Sequence, residues 1–385
     1  MTFDLDDIRR REFPWAARGD AIFLDHASTG PLPARTQGVV AAQGLKRAEP
    51  FRLGAEDFFP VLQRARSNAE ALIHAPAGSV ALVTNTSHGV NIGARTLPYG
   101  VGDVILSTAG EFPANVYPWL AATRARGAEF RMLPLAGRLP DEEAILRAIE
   151  TDPHVKGVAL SWVSFWNGHR FDLEAIGAAC RARGIWFFVD AIQGIGAVEL
   201  DVVRANVDVL SCGAQKWLLS PWGTGFAYVR PDWIAKLEPA EVGWMAQPAT
   251  SDFTRFLDYD PTLFDDARRF EVVTLDFVNF AAFAESVGLF LEVGPGNAAA
   301  AVRALSQRVV DFVAAHPHLT LVSPAAPSKR AGVCSVVPPD LQAASQRLKN
   351  AGVFHSVREG CIRLAPHFYN TPAEVDRALE LIAAG

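Results

Sequence analysis

Cysteine is scarce in this sequence: four in 385 residues, at Cys180, Cys212, Cys334 and Cys361, with no CxxC spacing among them. That pattern argues against a zinc ribbon or a disulfide framework and suits a reducing, cytoplasmic setting. The nine histidines are dispersed and no HExxH occurs, so no metal site is expected. Neither GxxxxGK[ST] nor a strand followed by GxGxxG is present, which sets nucleoside triphosphates and dinucleotides aside. A basic excess is missing too: 36 Lys and Arg against 42 Asp and Glu leave a net charge of −6, with no footprint for nucleic acid or an anionic membrane. No apolar stretch approaches membrane-spanning length. The N-terminus, MTFDLDDIRRREFPW, alternates acids and bases around no apolar core, unlike a signal peptide.

Half of the residues are hydrophobic and a fifth are charged, as in an enzyme-sized globular chain, and the length exceeds what one ordinary core takes. From about 78 to 230, short β-rich runs alternate with helical segments: SVALVT, DVILST, EFRMLPL, GVALSWVS, IWFFVD, VDVLSC and GFAYVR. Uninterrupted apolar strands in this alternation predict an α/β fold with a mostly parallel sheet flanked by helices. Beyond 235 comes a long irregular stretch, then two helices, short strands between 319 and 366, and a last helix opened by TPAE, a capping box. The expected division is a large domain over 16–250 and a small α+β domain built from 1–15 and 251–385.

In open α/β sheets, ligands sit beyond the carboxyl ends of the strands. Thr86 and Ser87 follow the first strand at a helix start, where free amides favour phosphate, although Ser and Thr also serve as plain N-caps. Asp190 ends the most apolar strand, where an aspartate either caps a turn or does chemistry. Gln193 stands three residues on. Lys216 follows the strand 207–212, and a lone lysine there would ordinarily snorkel to water. Each of these groups follows a different strand, and together they fit pyridoxal 5′-phosphate (PLP). Thr86 and Ser87 would take the phosphate, Asp190 would keep the pyridine nitrogen protonated, Gln193 would face the ring hydroxyl, and Lys216 would form the Schiff base.

The order VDAIQGIGAVELDV, then VDVLSCGAQKWLLSPWGTGFAYV, resembles the D-x-x-Q and lysine signatures of the class V aminotransferase branch of the fold-type I PLP enzymes. That branch includes cysteine desulfurases, kynureninases and isopenicillin N epimerase-like proteins. The resemblance runs from FLDHASTGPLP at 23–33 to SVREGCIRLAPHFYNTPAEVDRALELI at 356–382. It implies a large domain with a seven-stranded, mostly parallel sheet, PLP as cofactor, and amino-acid and keto-acid substrates. Phe112 takes the place that stacks on the pyridine ring, where many relatives have histidine, and Ile192 packs the opposite face. Gln215, beside the lysine, donates a neutral hydrogen bond to phosphate. Thr274 reaches the partner subunit's phosphate, which implies a homodimer. Arg363 clamps the substrate carboxylate, a task suited to a bidentate guanidinium, with His26 nearby as a substrate contact.

Three departures bear on the reaction. Residue 215 is Gln where desulfurases have His. Cys361 lies only two residues before Arg363, so no mobile loop can deliver it as a nucleophile. Phe165 stands where some relatives place an asparagine near the ring hydroxyl, which leaves that contact to Gln193 alone or to Gln193 with Asn167. The expectation is an aminotransferase. The alternatives are a C–S or β/γ-elimination lyase, an amino-acid epimerase, and last a PLP-fold binding protein without turnover.

Overall fold

The apolar runs predicted as strands assemble into one sheet in the computed structural model, which describes residues 3–257 and 259–384. Its strands are β1 (Val80–Leu82), β2 (Val104–Thr108), β3 (Glu129–Leu133), β4 (Val155–Ser161), β5 (Trp186–Asp190), β6 (Val209–Gly213) and β7 (Gly225–Val229). They lie in the order β1-β7-β6-β5-β4-β2-β3. All neighbours run parallel except β7, which pairs antiparallel with both β1 and β6.

Side chains alternate between two cores. Val80, Leu82, Leu106, Val158, Phe187, Val189 and Phe226 face one, and Ala81, Ile105, Ala159, Phe188, Val209 and Ala227 face the other. Both sheet faces are therefore covered, which is why these strands read as unbroken apolar runs. The helix Thr86–Thr96 begins at the Thr86–Ser87 pair, as expected. Asn85 is its N-cap, and its side chain accepts the His88 N–H at 3.0 Å.

A four-stranded antiparallel sheet follows: β8 (Thr320–Leu321), β9 (Cys334–Val337), β10 (Ser356–Arg358) and β11 (Cys361–Leu364), in the order β8-β9-β11-β10. Its core runs from Leu305 to Ile382 and takes in Leu24 from the N-terminal part. The helix Phe277–Val293 packs instead on helices Ala34–Ala48 and Phe59–Leu72, in the core beneath the large sheet. The final helix, Pro372–Ala383, has the expected capping box between Thr371 and Glu374. Asp25 bridges to Ala365, which holds the N-terminal loop against the end of β11.

Candidate active site

The ends of β4, β5 and β6 meet the start of helix Thr86–Thr96 at one crevice. Asp190 closes β5, in register with Ser161 on β4 and Ser211 on β6. One carboxylate oxygen, Oδ1, accepts the Ile192 N–H at 3.1 Å. Burial pushes Asp190 up to about 6, while the Ile192 amide and the charge of Lys216 pull it down. Lys216 lies just past β6. Among the described residues it forms no salt bridge, and its Nζ sits 5.3 Å from the Phe112 ring centroid. Burial pushes this amine down to about 8, against the pull of Asp190.

Close backbone approach makes the pocket tight around Lys216. A Cβ on Gly30 would lie 2.2 Å from the Lys216 carbonyl, so only glycine lets the N-terminal loop pass there, and the Gly30 N–H donates to Gln215 O at 2.8 Å. A Cβ on Gly213 would meet Gln215 Oε1, Thr86 Oγ1 and Ile192 Cδ1, all within 3.2 Å. These three side chains thus crowd the end of β6, where only glycine leaves them room.

The start of the helix Thr86–Thr96 suits a phosphate. Asn85 takes the capping role, so the first amides of the helix, at Thr86 and Ser87, stay free of intrahelical bonds. The Thr86 hydroxyl accepts the Gly213 N–H at 3.0 Å and keeps its own proton to donate. Ser87 is exposed at the same helix end. Phe112 and Ile192 supply two apolar faces for a flat ring, and Phe165 meets the Phe112 ring edge-on at 5.2 Å. This donor set fits PLP: a neutral anion cradle, a buried carboxylate, two apolar faces and an amine that loses its proton near neutrality.

Arg363, on β11, is 2 % exposed. Its Nη1 donates to Phe165 O at 2.7 Å, and its Nη2 donates to Ser28 Oγ at 2.6 Å and Asp25 Oδ1 at 3.1 Å. Both Asp25 oxygens accept hydroxyls, from Ser28 at 2.9 Å and Ser356 at 2.7 Å, so the aspartate is fixed. Nε of the guanidinium is buried without a partner. A buried donor costs free energy until it is paired, and a carboxylate is the ligand that pairs it best.

Gln193 is more constrained than its motif suggests. Its Nε2 donates to Ala27 O at 2.9 Å and its Oε1 accepts Trp217 Nε1–H at 2.8 Å, leaving one amide N–H. Asn167 is bonded locally, donating to Arg138 O and accepting the His169 N–H, which likewise leaves one amide N–H.

His26 departs from its expected role as a substrate contact. It is fully buried, with Nδ1 on Ala365 O and Nε2 on the Tyr369 hydroxyl, both at 2.8 Å. Burial lowers it to about 3, so it is a neutral tie between the N-terminal loop and the small domain. Thr274 lies outside the crevice on the exposed surface, where its hydroxyl accepts Trp244 Nε1–H at 2.8 Å. Glu111 escaped the sequence reading although it precedes Phe112. Its carboxyl group bonds to Ser161 at the end of β4. The only signal for it was its place beside a stacking residue.

Comparison with known proteins identifies the family. The family model aminotransferase class-V matches residues 22–377. Isopenicillin N epimerase of Streptomyces clavuligerus is 28% identical over 374 residues, covering 94% of each chain. An uncharacterised aminotransferase of Bacillus subtilis (strain 168) is 28% identical over 356 residues, covering 88% of this chain and 91% of its own. Among solved structures, the cystine C–S lyase C-DES with its product cysteine persulfide superposes with a TM-score of 0.87 at 22% identity, covering 97% of this chain and 99% of its own. At that identity the likeness speaks for the fold.

Proposed function

The chain belongs to the aminotransferase class-V family of PLP-dependent enzymes, and from that premise we propose that it moves an amino group between an amino acid and a keto acid. When bound, PLP supplies an electron sink that makes the Cα–H of an amino acid acidic. Lys216 Nζ would hold the group covalently. Thr86, Ser87 and Gln215 would hold its phosphate, and Phe112 and Ile192 its two faces. The single observation that carries the reading is that Lys216, at the strand ends, forms no salt bridge among the described residues while burial lowers its amine to about 8. An amine lowered to about 8 can take a proton from a substrate carbon and return it on the same face.

The competing reactions need groups that this crevice offers less well. A two-base epimerisation requires a second proton carrier, yet both nitrogens of His26 and of His367 are engaged. A persulfide-forming desulfurase requires a reactive thiol. All four cysteines are buried, and burial pushes the Cys361 thiol up, away from the thiolate. Arg363, steadied by Asp25, Ser28 and Phe165 O, would bind the substrate carboxylate through its unpaired Nε–H edge.

We also propose a cytoplasmic homodimer. Next to Thr274 lies an apolar cavity of about 720 Å³ lined by Trp244, Phe253, Phe256 and Tyr259, and Tyr259 is 86% exposed. A second copy covering this face would bury those rings and bring Thr274 toward the partner's phosphate site. A panel of amino acids tests the reaction without added acceptor. Conversion of the cofactor spectrum to that of the pyridoxamine form, with release of a keto acid, is the expected result. Pyruvate with ammonia or sulfide would point to lysis, and deuterium at Cα of an intact amino acid to epimerisation. Either would overturn transamination.

A further inference from the structure

One acidic group at the crevice has no part in the steps above. Glu111 is half-buried as a residue, but its carboxyl group turns inward. Oε1 accepts the Ser161 N–H at 2.7 Å, Oε2 is bonded to the Ser161 hydroxyl, and Asn115 Nδ2 reaches Oε2 at 3.3 Å. Ser161 ends β4 and is the register partner of Asp190 on β5. Two carboxyl groups therefore stand at the ends of adjacent strands.

Among the described residues Glu111 forms no salt bridge, and the neighbouring charge that acts on it is that of Asp190. The small cavity beside it is otherwise lined by neutral residues, among them Thr108, Ser164, Phe165 and Trp166. Lys216 acts on Asp190 instead. With two neighbouring carboxyl groups and one cation, the charge belongs on the one nearer the cation and the proton on the other. A neutral carboxyl group also matches its partners: the carbonyl oxygen takes the Ser161 N–H and the hydroxyl gives to Ser161 Oγ. Burial of Glu111 points the same way: it raises the group to about 7, with Asp190 adding to the rise, against the pull of the Ser161 and Asn115 donors.

We propose that Glu111 is a positioning residue that works in its acid form, clamping the Phe112 turn to the end of β4 and leaving Asp190 as the lone negative charge there. The roles of Phe112 and Asp190 rest on the function proposed above; the protonation of Glu111 does not. Ser161 carries the other half of the clamp, and its hydroxyl is the group that a neutral Glu111 would donate to.

Thermal midpoints of the holoenzyme and its Glu111→Gln variant, followed from about pH 5 to about pH 8, test the acid form. A carboxyl group raised when folded binds more protons than in the unfolded chain. Its stabilising share is full below the unfolded value of 4.5 and is lost as the pH rises through about 7. Glutamine keeps the bonding pattern without the proton, so the variant should gain on the wild type across that window. Parallel curves would overturn the acid form. Glu111→Ala and Ser161→Ala test the positioning through circular dichroism of the cofactor band and cofactor release. We expect both to weaken retention by roughly tenfold, the scale of a lost buried hydrogen bond, with Glu111→Gln keeping the dichroism. Unchanged retention in both alanine variants would overturn the positioning role. A preparation with no cofactor band at all would sink the proposed function, yet the pH comparison would still decide the protonation of Glu111.

Discussion

Two pairs of buried charges flank the same sheet and have opposite fates. Arg66, on the helix Phe59–Leu72, meets Glu271 in a two-pronged pair at 2.8 and 2.6 Å, and Leu82 of β1 donates its N–H to the same carboxylate at 2.9 Å. Asp190 and Lys216, at the strand ends, form no salt bridge, and burial shifts each toward its neutral form. The first pair is complete and staples a helix to the edge strand. The second is left open among the described residues, which leaves its electrostatic need to the proposed cofactor. A buried charge with every partner in place is structure, and one held short of its partner is chemistry.

Substitutions at the two pairs should therefore separate along activity and stability. Lys216→Ala has the largest expected effect: turnover falls by roughly 10⁴-fold, at the upper range for positioned proton transfer, and the visible cofactor band disappears from the absorbance spectrum. An unchanged spectrum would remove Lys216 from the site. Glu271→Ala should act on the other axis, costing about 3–5 kcal/mol of unfolding free energy in a urea titration by leaving Arg66 buried and alone. Turnover per folded molecule should hold; a loss of activity without a loss of stability would break the comparison.

Asp190→Asn should cost about 3–4 kcal/mol of transition-state stabilisation, read as a fall in kcat. Its unfolding midpoint should stay level or rise, because an incompletely paired buried carboxylate has been removed. A destabilised variant with normal kcat would place Asp190 with the stapling pair. The smallest effect is expected for Arg363→Lys. KM for the amino acid should rise by roughly tenfold with kcat little changed, because an ammonium cannot reproduce the fork of the guanidinium. A fall in kcat alone would count against a carboxylate-binding role.

Much of the fold was legible because its strands are apolar on both faces and its helices carry their own caps. The parallel sheet, the small antiparallel sheet and the capping box at Thr371 follow from local pattern alone. Lys216 and Asp190 were legible for a related reason, since a polar residue that ends a buried strand has few places to point. His26 was misjudged because a motif records that a polar residue is needed without saying whether it meets substrate or ties two segments together. The Ala365 carbonyl and Tyr369 hydroxyl that occupy its nitrogens lie more than 330 positions away. Gln193 shows a milder version, its amide already spent on Ala27 and Trp217.

By itself the sequence determined the strand-and-helix alternation, the placement of a lysine and an aspartate at strand ends, and the absence of the common nucleotide motifs. Those are local properties, written in residues close together along the chain. The tertiary structure alone decided which polar groups are satisfied and which are left open. That distinction put Glu111 against Ser161, sealed His26 away, fixed Asp25 beside Arg363 and left Lys216 without an ion-pair partner. The physical reason is that a hydrogen bond or a shifted pKa belongs to a pair of groups and their surroundings, and the partners here come from 50 to 340 residues apart.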